Sequence, residues 1–192
     1  MKIERAIANV ETLGPGKRIC IWTVGCKRRC PGCVSERLQS DMGAIDYVIE
    51  EFLDGFNFKK ADGVTISGGE PFEQVEELNH LIDYLIANSV DDILVYTGYT
   101  LEELKNKNNL TIDNILSKIA VLIDGPYIKE LDYENNNLKG SENQKIHFLN
   151  EKYKSTYLSY LSTSRSMQEI VAANMKIGMG IPTKEYIEKF KK

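Results

Sequence analysis

Four short runs rich in β-branched and aromatic residues, Ile19–Val24, Val64–Ser67, Ile93–Tyr96 and Ile119–Ile123, alternate with stretches of helical periodicity. That alternation restricts the fold more than any other feature. Strands separated by helix-length segments pair through right-handed βαβ crossovers, which makes their sheet parallel. Ile45, Val48, Ile49, Phe52, Leu53 and Phe56 recur at the spacing of one buried helical face. Phe72, Val75, Leu78, Leu81, Ile82 and Leu85 repeat it behind Pro71, which suits a first helical position. Thr100 followed by Glu103 is a capping-box signature for a third helix. A closed eightfold barrel takes about 250 residues. A chain of 192 residues is therefore expected to be α/β, a partial (β/α) barrel with parallel strands.

Each expected strand runs into a glycine-rich or polar motif at its carboxyl end. The first leads to a cysteine loop, the second to Ser67–Pro71 (SGGEP), the third to Thr97–Thr100 (TGYT), and the fourth to Asp124–Tyr127 (DGPY). Carboxyl ends of parallel strands are where α/β folds build their sites, so the four motifs are expected on one rim. Residues 128–150 read as polar and irregular. Residues 1–150 are expected to form the core and residues 151–192 a C-terminal extension, too small for a core of its own and so packed on the first. That extension offers a tyrosine-rich stretch from Tyr153 to Tyr160, a helical pattern near Ser166–Asn174, and a last amphipathic helix with Tyr186, Ile187 and Phe190. The asparagine clusters at Asn106–Asn109 and Asn135–Asn137 read as loop filler.

The cysteine loop carries the chemistry. Cys26, Cys30 and Cys33 are spaced C-x3-C-x2-C, and no cysteine follows Cys33. Iron–sulfur cubanes are ordinarily held by four thiolates. Three leave one iron open, and an open metal position is where a substrate or cofactor binds. Structural zinc takes four ligands, commonly paired C-x2-C knuckles or histidines. Here there is one such pair, and His80 and His147 are remote, which favours iron–sulfur. Cys20 lies inside the first strand, roughly 13 Å before Val24 at about 3.3 Å per residue, and reads as a buried free thiol. In SGGEP, Gly68 and Gly69 permit close backbone approach or positive φ, and Glu70 offers an acceptor to a cationic amine; a tight turn alone is the plainer alternative. Thr97 with Tyr99 serves either a ligand or a helix-capping turn, and Asp124 either a site carboxylate or a turn.

Composition sets the surroundings. With 42% hydrophobic and 27% charged residues and a net charge of −4, nucleic acid and anionic membrane are not expected partners. The first residues lack the apolar core of a signal peptide, and no run is long enough to span a bilayer. A cytoplasmic location is expected, where cysteines serve metals or catalysis rather than disulfides. Walker loops, dinucleotide fingerprints and nucleophile–histidine arrangements do not stand out.

The C-x3-C-x2-C triad followed by a GGE motif resembles the radical S-adenosylmethionine superfamily. The segments GPGKRICIWTVGCKRRCPGC, SGGEP, VYTGYTLEEL, LIDGPYIKEL and KGSENQKIHFL are similar, in the same order, to the activating proteins of anaerobic ribonucleoside-triphosphate reductase; the likeness covers roughly residues 4–150. The resemblance implies a [4Fe-4S] cluster on Cys26, Cys30 and Cys33, with S-adenosylmethionine chelating the open iron. It places the methionine part against Gly68, Gly69 and Glu70, bordered by Gly32, Cys33 and Val34, with Thr97 and Asp124 as further candidates. It implies flavodoxin or ferredoxin as electron donor and a glycyl radical enzyme, the anaerobic reductase, as partner. Gly32 stands just before the last cysteine, as in the reductase activators, where the superfamily commonly has an aromatic; Val34, after Cys33, is not aromatic either, and the tail from Glu151 onward extends past the short reductase activators. A small radical enzyme acting on a peptide or metabolite, and a non-catalytic iron–sulfur or zinc module, are the alternatives.

Overall fold

The computed structural model describes residues 1–132, 137–172 and 175–189. It begins with a hairpin: β1 (Ile3–Val10) turns back through Gly14 and Gly16, at φ 133° and 74°, into β2 (Arg18–Thr23). The chain then runs α1 (Ile49–Phe52), β3 (Gly63–Gly68), α2 (Val75–Ala87), β4 (Ile93–Tyr96), α3 (Leu101–Asn106), α4 (Leu110–Lys118) and β5 (Val121–Asp124). It continues with β6 (Lys145–Phe148), α5 (Glu151–Leu161), the hairpin β7 (Gln168–Ala172) and β8 (Met175–Met179), and α6 (Lys184–Lys189).

The result is a mixed α/β fold whose six-stranded sheet has the order β1-β2-β3-β4-β5-β6. Strands β2 to β5, the four expected from the sequence, pair in parallel. The outer two, β1 and β6, pair antiparallel and were not expected. The physical reason is their position. Edge strands are half exposed, so β1 mixes Glu4, Arg5 and alanines with apolar residues, and β6 is the four-residue KIHF inside a segment that reads as irregular.

Alternating residues of the parallel strands feed opposite faces. Ile19, Ile21, Val64, Ile66, Ile93, Val95 and Leu122 enter one core together with Leu78, Leu81, Ile82 and Leu85 of α2 and Ile112 and Ile115 of α4. Each such fully buried aliphatic side chain is worth about 1.5–3 kcal/mol. Facing the other way, Leu94, Val121 and Ile123 pack with Tyr157 of α5, and Cys20 packs with Val10, Leu13 and Met179 of the hairpin. Burial on both faces is why the central strands read as continuous apolar runs.

On this second face lies a buried ion pair. Arg18, with no exposed side-chain surface, donates from Nη1 to Asp92 Oδ2 at 2.8 Å and from Nε to Thr65 Oγ1 at 2.7 Å. Tyr157 Oη donates to Asp92 Oδ1 at 2.8 Å, and the Tyr157 ring lies 5.8 Å from the guanidinium. Gly63 is glycine because a Cβ there would sit 2.6 Å from Arg18 Nη1.

Several expectations are corrected. The helix read across Ile45–Phe56 contracts to α1; Ile45 and Val48 are 61% and 56% exposed, while Ile49 and Leu53 are buried. Val48 stands at its N-cap in extended backbone, and Gly55, at φ 87°, follows its end. Pro71 opens a 3-10 turn, Pro71–Glu73, ahead of α2. Asn109 is no filler: its Oδ1 accepts from Thr111 N and Ile112 N and caps α4, a helix the sequence reading lacked. Asn137 is buried and donates from Nδ2 to Tyr160 O and Thr163 Oγ1. The helical pattern near Ser166–Asn174 is instead the β7–β8 hairpin, in which Ile170 pairs with Ile177. Asn135, Asn136, Asn174 and Phe190 lie outside the described residues. Among the described residues no helix is long and apolar enough to cross a membrane.

Candidate iron–sulfur site

The cysteine loop follows β2 and is stitched down by backbone on both sides. Gly25 N donates to Leu38 O at 2.8 Å and Cys26 N to Gln39 O at 2.9 Å. Across from it, Gly69 N donates to Thr23 O and Glu70 N to Gly25 O, each at 2.8 Å. The paired glycines make this contact possible. Gly68 takes φ 108°, and a Cβ on Gly69 would clash with the carbonyl oxygen of Gly25. Their use inside the protein is therefore to bring the end of β3 against the root of the loop.

Within the loop, Arg29 and Gly32 adopt φ 47° and 72°, the left-handed region that turns the chain tightly. Burial pushes the thiols of Cys26 and Cys33 up, and backbone N–H groups of Arg28 and Arg29 at Cys26 and of Ser35 at Cys33 oppose it. These donors favour thiolate, the form that ligates metal. Cys26, Cys30 and Cys33 are all partly exposed. Cys20 is buried in the hairpin core, its thiol pushed up to about 12 by desolvation.

A cleft of about 1190 Å³ gathers most of the candidates: Cys26, Cys30, Gly32, Cys33 and Val34 on one wall, Gly68, Gly69, Glu70 and Thr97 on another. Glu70 is 1% exposed, and both of its oxygens accept hydrogen bonds. Its Oε1 accepts from Phe72 N at 3.0 Å and Thr97 Oγ1 at 2.8 Å, and its Oε2 from Gly98 N at 2.7 Å. Burial raises its pKa, against those three bonds. Thr97 in turn accepts from Tyr99 N at 3.1 Å.

Asp124 stands apart. It borders a second hollow of about 410 Å³, where Oδ2 accepts from Leu101 N at 2.6 Å and Oδ1 from Lys145 N at 3.2 Å, with His147 Nε2 2.8 Å from Oδ2. After β5 it is Gly125 and Tyr127, not Asp124, that line the main cleft. The sequence reading also passed over Ile177 and Met179 of β8 and Ile181, which wall the cleft opposite the loop; no motif marks them.

Among the described residues no three His, Cys, Asp or Glu side chains converge on one ion position. A cubane takes each thiolate on a different iron. Three sulfur donors lining a roomy cleft, two of them accepting backbone hydrogen bonds, fit a cluster.

A family model described as "4Fe-4S single cluster domain" matches residues 12–147, which defines the class: an iron–sulfur protein with a single cubane. The anaerobic ribonucleoside-triphosphate reductase-activating protein of Escherichia coli (strain K12) is 31% identical over 144 residues, covering 71% of this chain and 91% of that protein. The proteins of that name from Haemophilus influenzae and Enterobacteria phage T4 are 32% and 27% identical, over 70% and 69% of this chain and 89% and 85% of their own lengths. The chain belongs to the family of anaerobic ribonucleoside-triphosphate reductase-activating proteins.

Proposed function

We propose that the protein is a radical S-adenosylmethionine activating enzyme that installs a glycyl radical on an anaerobic ribonucleoside-triphosphate reductase. The observation that carries this reading is the cleft where the cysteine triad faces the Gly68–Gly69–Glu70 corner, in a chain of this family. A [4Fe-4S] cluster held by Cys26, Cys30 and Cys33 would supply the electron for reductive cleavage of S-adenosylmethionine, and with it the radical chemistry that removes a hydrogen atom from a glycine of the partner. A flavodoxin or ferredoxin supplies the electron.

The chain's own residues bind, orient and exclude water. Cys26, Cys30 and Cys33 hold one iron each. Gly68 and Gly69 offer backbone to the methionine part, and Glu70 keeps lone-pair capacity for its amine beyond the three bonds it accepts. Gly32 and Val34 border the cofactor. Thr97 acts through Glu70, and Asp124 steadies the corner between β5 and α3. The mixed sheet is read as a partial barrel of the superfamily type, residues 1–150 as its core, and residues 151–192 as an extension that closes the cleft with β8. A cytoplasmic site of action goes with the reductant.

The test is anaerobic mixing of reconstituted protein, reductant, S-adenosylmethionine and the reductase. The expected result is a glycyl radical signal by electron paramagnetic resonance, lost with Cys30→Ala. Cofactor cleavage with no radical on the reductase would overturn the assignment.

A further inference from the structure

We propose that Arg28 is a latch that fastens the cysteine loop to the corner after β4, and that the Thr97–Thr100 segment is shaped to receive it. The inference rests on the reading of Cys26, Cys30 and Cys33 as cluster ligands and names the residue that holds them in order.

Arg28 stands between the first two cysteines and leaves the loop across Gly98. A Cβ at position 98 would lie 2.6 Å from Arg28 Cδ and 3.4 Å from Glu70 Oε2. Gly98 is thus glycine for room, and a larger residue closes the channel that the arginine stem uses. Beyond it, the guanidinium lies 4.4 Å from the centroid of the Tyr99 ring, and Nη2 donates to Glu103 Oε2 at 2.8 Å. That same carboxylate oxygen accepts from Thr100 N at 2.6 Å, closing the capping box of α3. Lys107 brings a second cation to the Tyr99 ring, 3.7 Å from its centroid.

One side chain therefore makes a close crossing, a stack and a charge-assisted hydrogen bond on three consecutive parts of the TGYT motif and its helix. A planar guanidinium stacks and donates at once, which an ammonium does not. The corner it grips also holds Glu70 through Gly98 N. Arg28 so ties the thiol loop and the buried glutamate into one unit before any cluster arrives. It touches no reacting atom; it is a positioning residue.

The experiment is hydrogen exchange, read by mass spectrometry, on metal-free protein. In Arg28→Ala the amides of residues 26–33 are expected to exchange about threefold to tenfold faster, in line with loss of a half-exposed ion pair together with a cation–π contact, with β3 to β5 unchanged. Arg28→Lys is expected to resemble Arg28→Ala rather than the parent protein. Glu103→Gln, which keeps a capping acceptor at N3, is expected to loosen the loop severalfold, and the double variant no more than Arg28→Ala alone. Unchanged loop exchange in Arg28→Ala, a parent-like Arg28→Lys, or effects that multiply as for independent sites would each overturn the latch. Iron content of reconstituted Cys30→Ala reports on the ligand assignment separately: a full cubane there would sink that reading while the exchange result stood.

Discussion

Glu70 concentrates the physics of single residues in this protein. It is a carboxylate withdrawn from water and returned three donors, from Phe72 N, Thr97 Oγ1 and Gly98 N. Desolvation outweighs them, so its pKa in the fold lies above the ordinary 4.5. The folded chain then keeps this proton to higher pH than the unfolded chain. Glu70's contribution to stability is accordingly full below pH 4.5 and is lost as pH climbs through the raised value. With metal-free protein, the unfolding free energy of the parent minus that of Glu70→Gln should fall as pH rises from 4.5 through the raised value and level off above it. A difference that is flat, or that grows with pH, would contradict the burial argument. At this scale the sequence was a good guide to which residues meet and a poor guide to how. Glycines 68 and 69 announced a close approach, but the backbone they approach is the protein's own, the end of β2 for Gly68 and the root of the cysteine loop for Gly69. Arg28 reads in the sequence only as part of a basic spot, Lys27–Arg29, beside the cysteines, because its partners lie some 70 positions away and only the fold brings Tyr99 and Glu103 under it.

At the scale of elements, periodicity was legible where an element is buried on a whole face and illegible where it is not. Helix α2 follows its apolar stripe, and β4 matches Ile93–Tyr96 residue for residue. The edge strands β1 and β6 and the β7–β8 hairpin escaped because half-exposed strands tolerate polar residues and lose strict alternation. Helix α4 escaped for another reason: an asparagine run looks like a loop until Asn109 is seen to satisfy two otherwise unpaired amides. Asn109→Ala should cost about 1 kcal/mol, lowering the melting temperature by about 2–4 °C for a chain of this size. An unchanged midpoint by calorimetry would show that the cap is idle.

Taken whole, the molecule is a sheet covered twice, by α1, α2 and α4 on one side and by α5 with the β7–β8 hairpin on the other. The second cover is drawn from residues 151–172 and 175–189, all of them beyond the span matched by the family model. Yet Tyr157 has no exposed surface, and Met179 seals the pocket that holds Cys20. Cutting the chain after Asn150 strips one face of the sheet and leaves Arg18 and Asp92 without the tyrosine. Loss of that ring alone is worth about 3–5 kcal/mol, so the shortened chain should melt at least about 10 °C lower. A shortened chain that melts within a degree or two of the parent would mean the extension is ornamental. The buried arginine also imposes a timetable on synthesis. The phenol that roofs Arg18 is made 139 residues after it (157 − 18), a delay on the order of ten seconds at about 5–20 residues per second. Until then the Arg18–Asp92 pair has one side open to water, and that face of the nascent sheet stays uncovered.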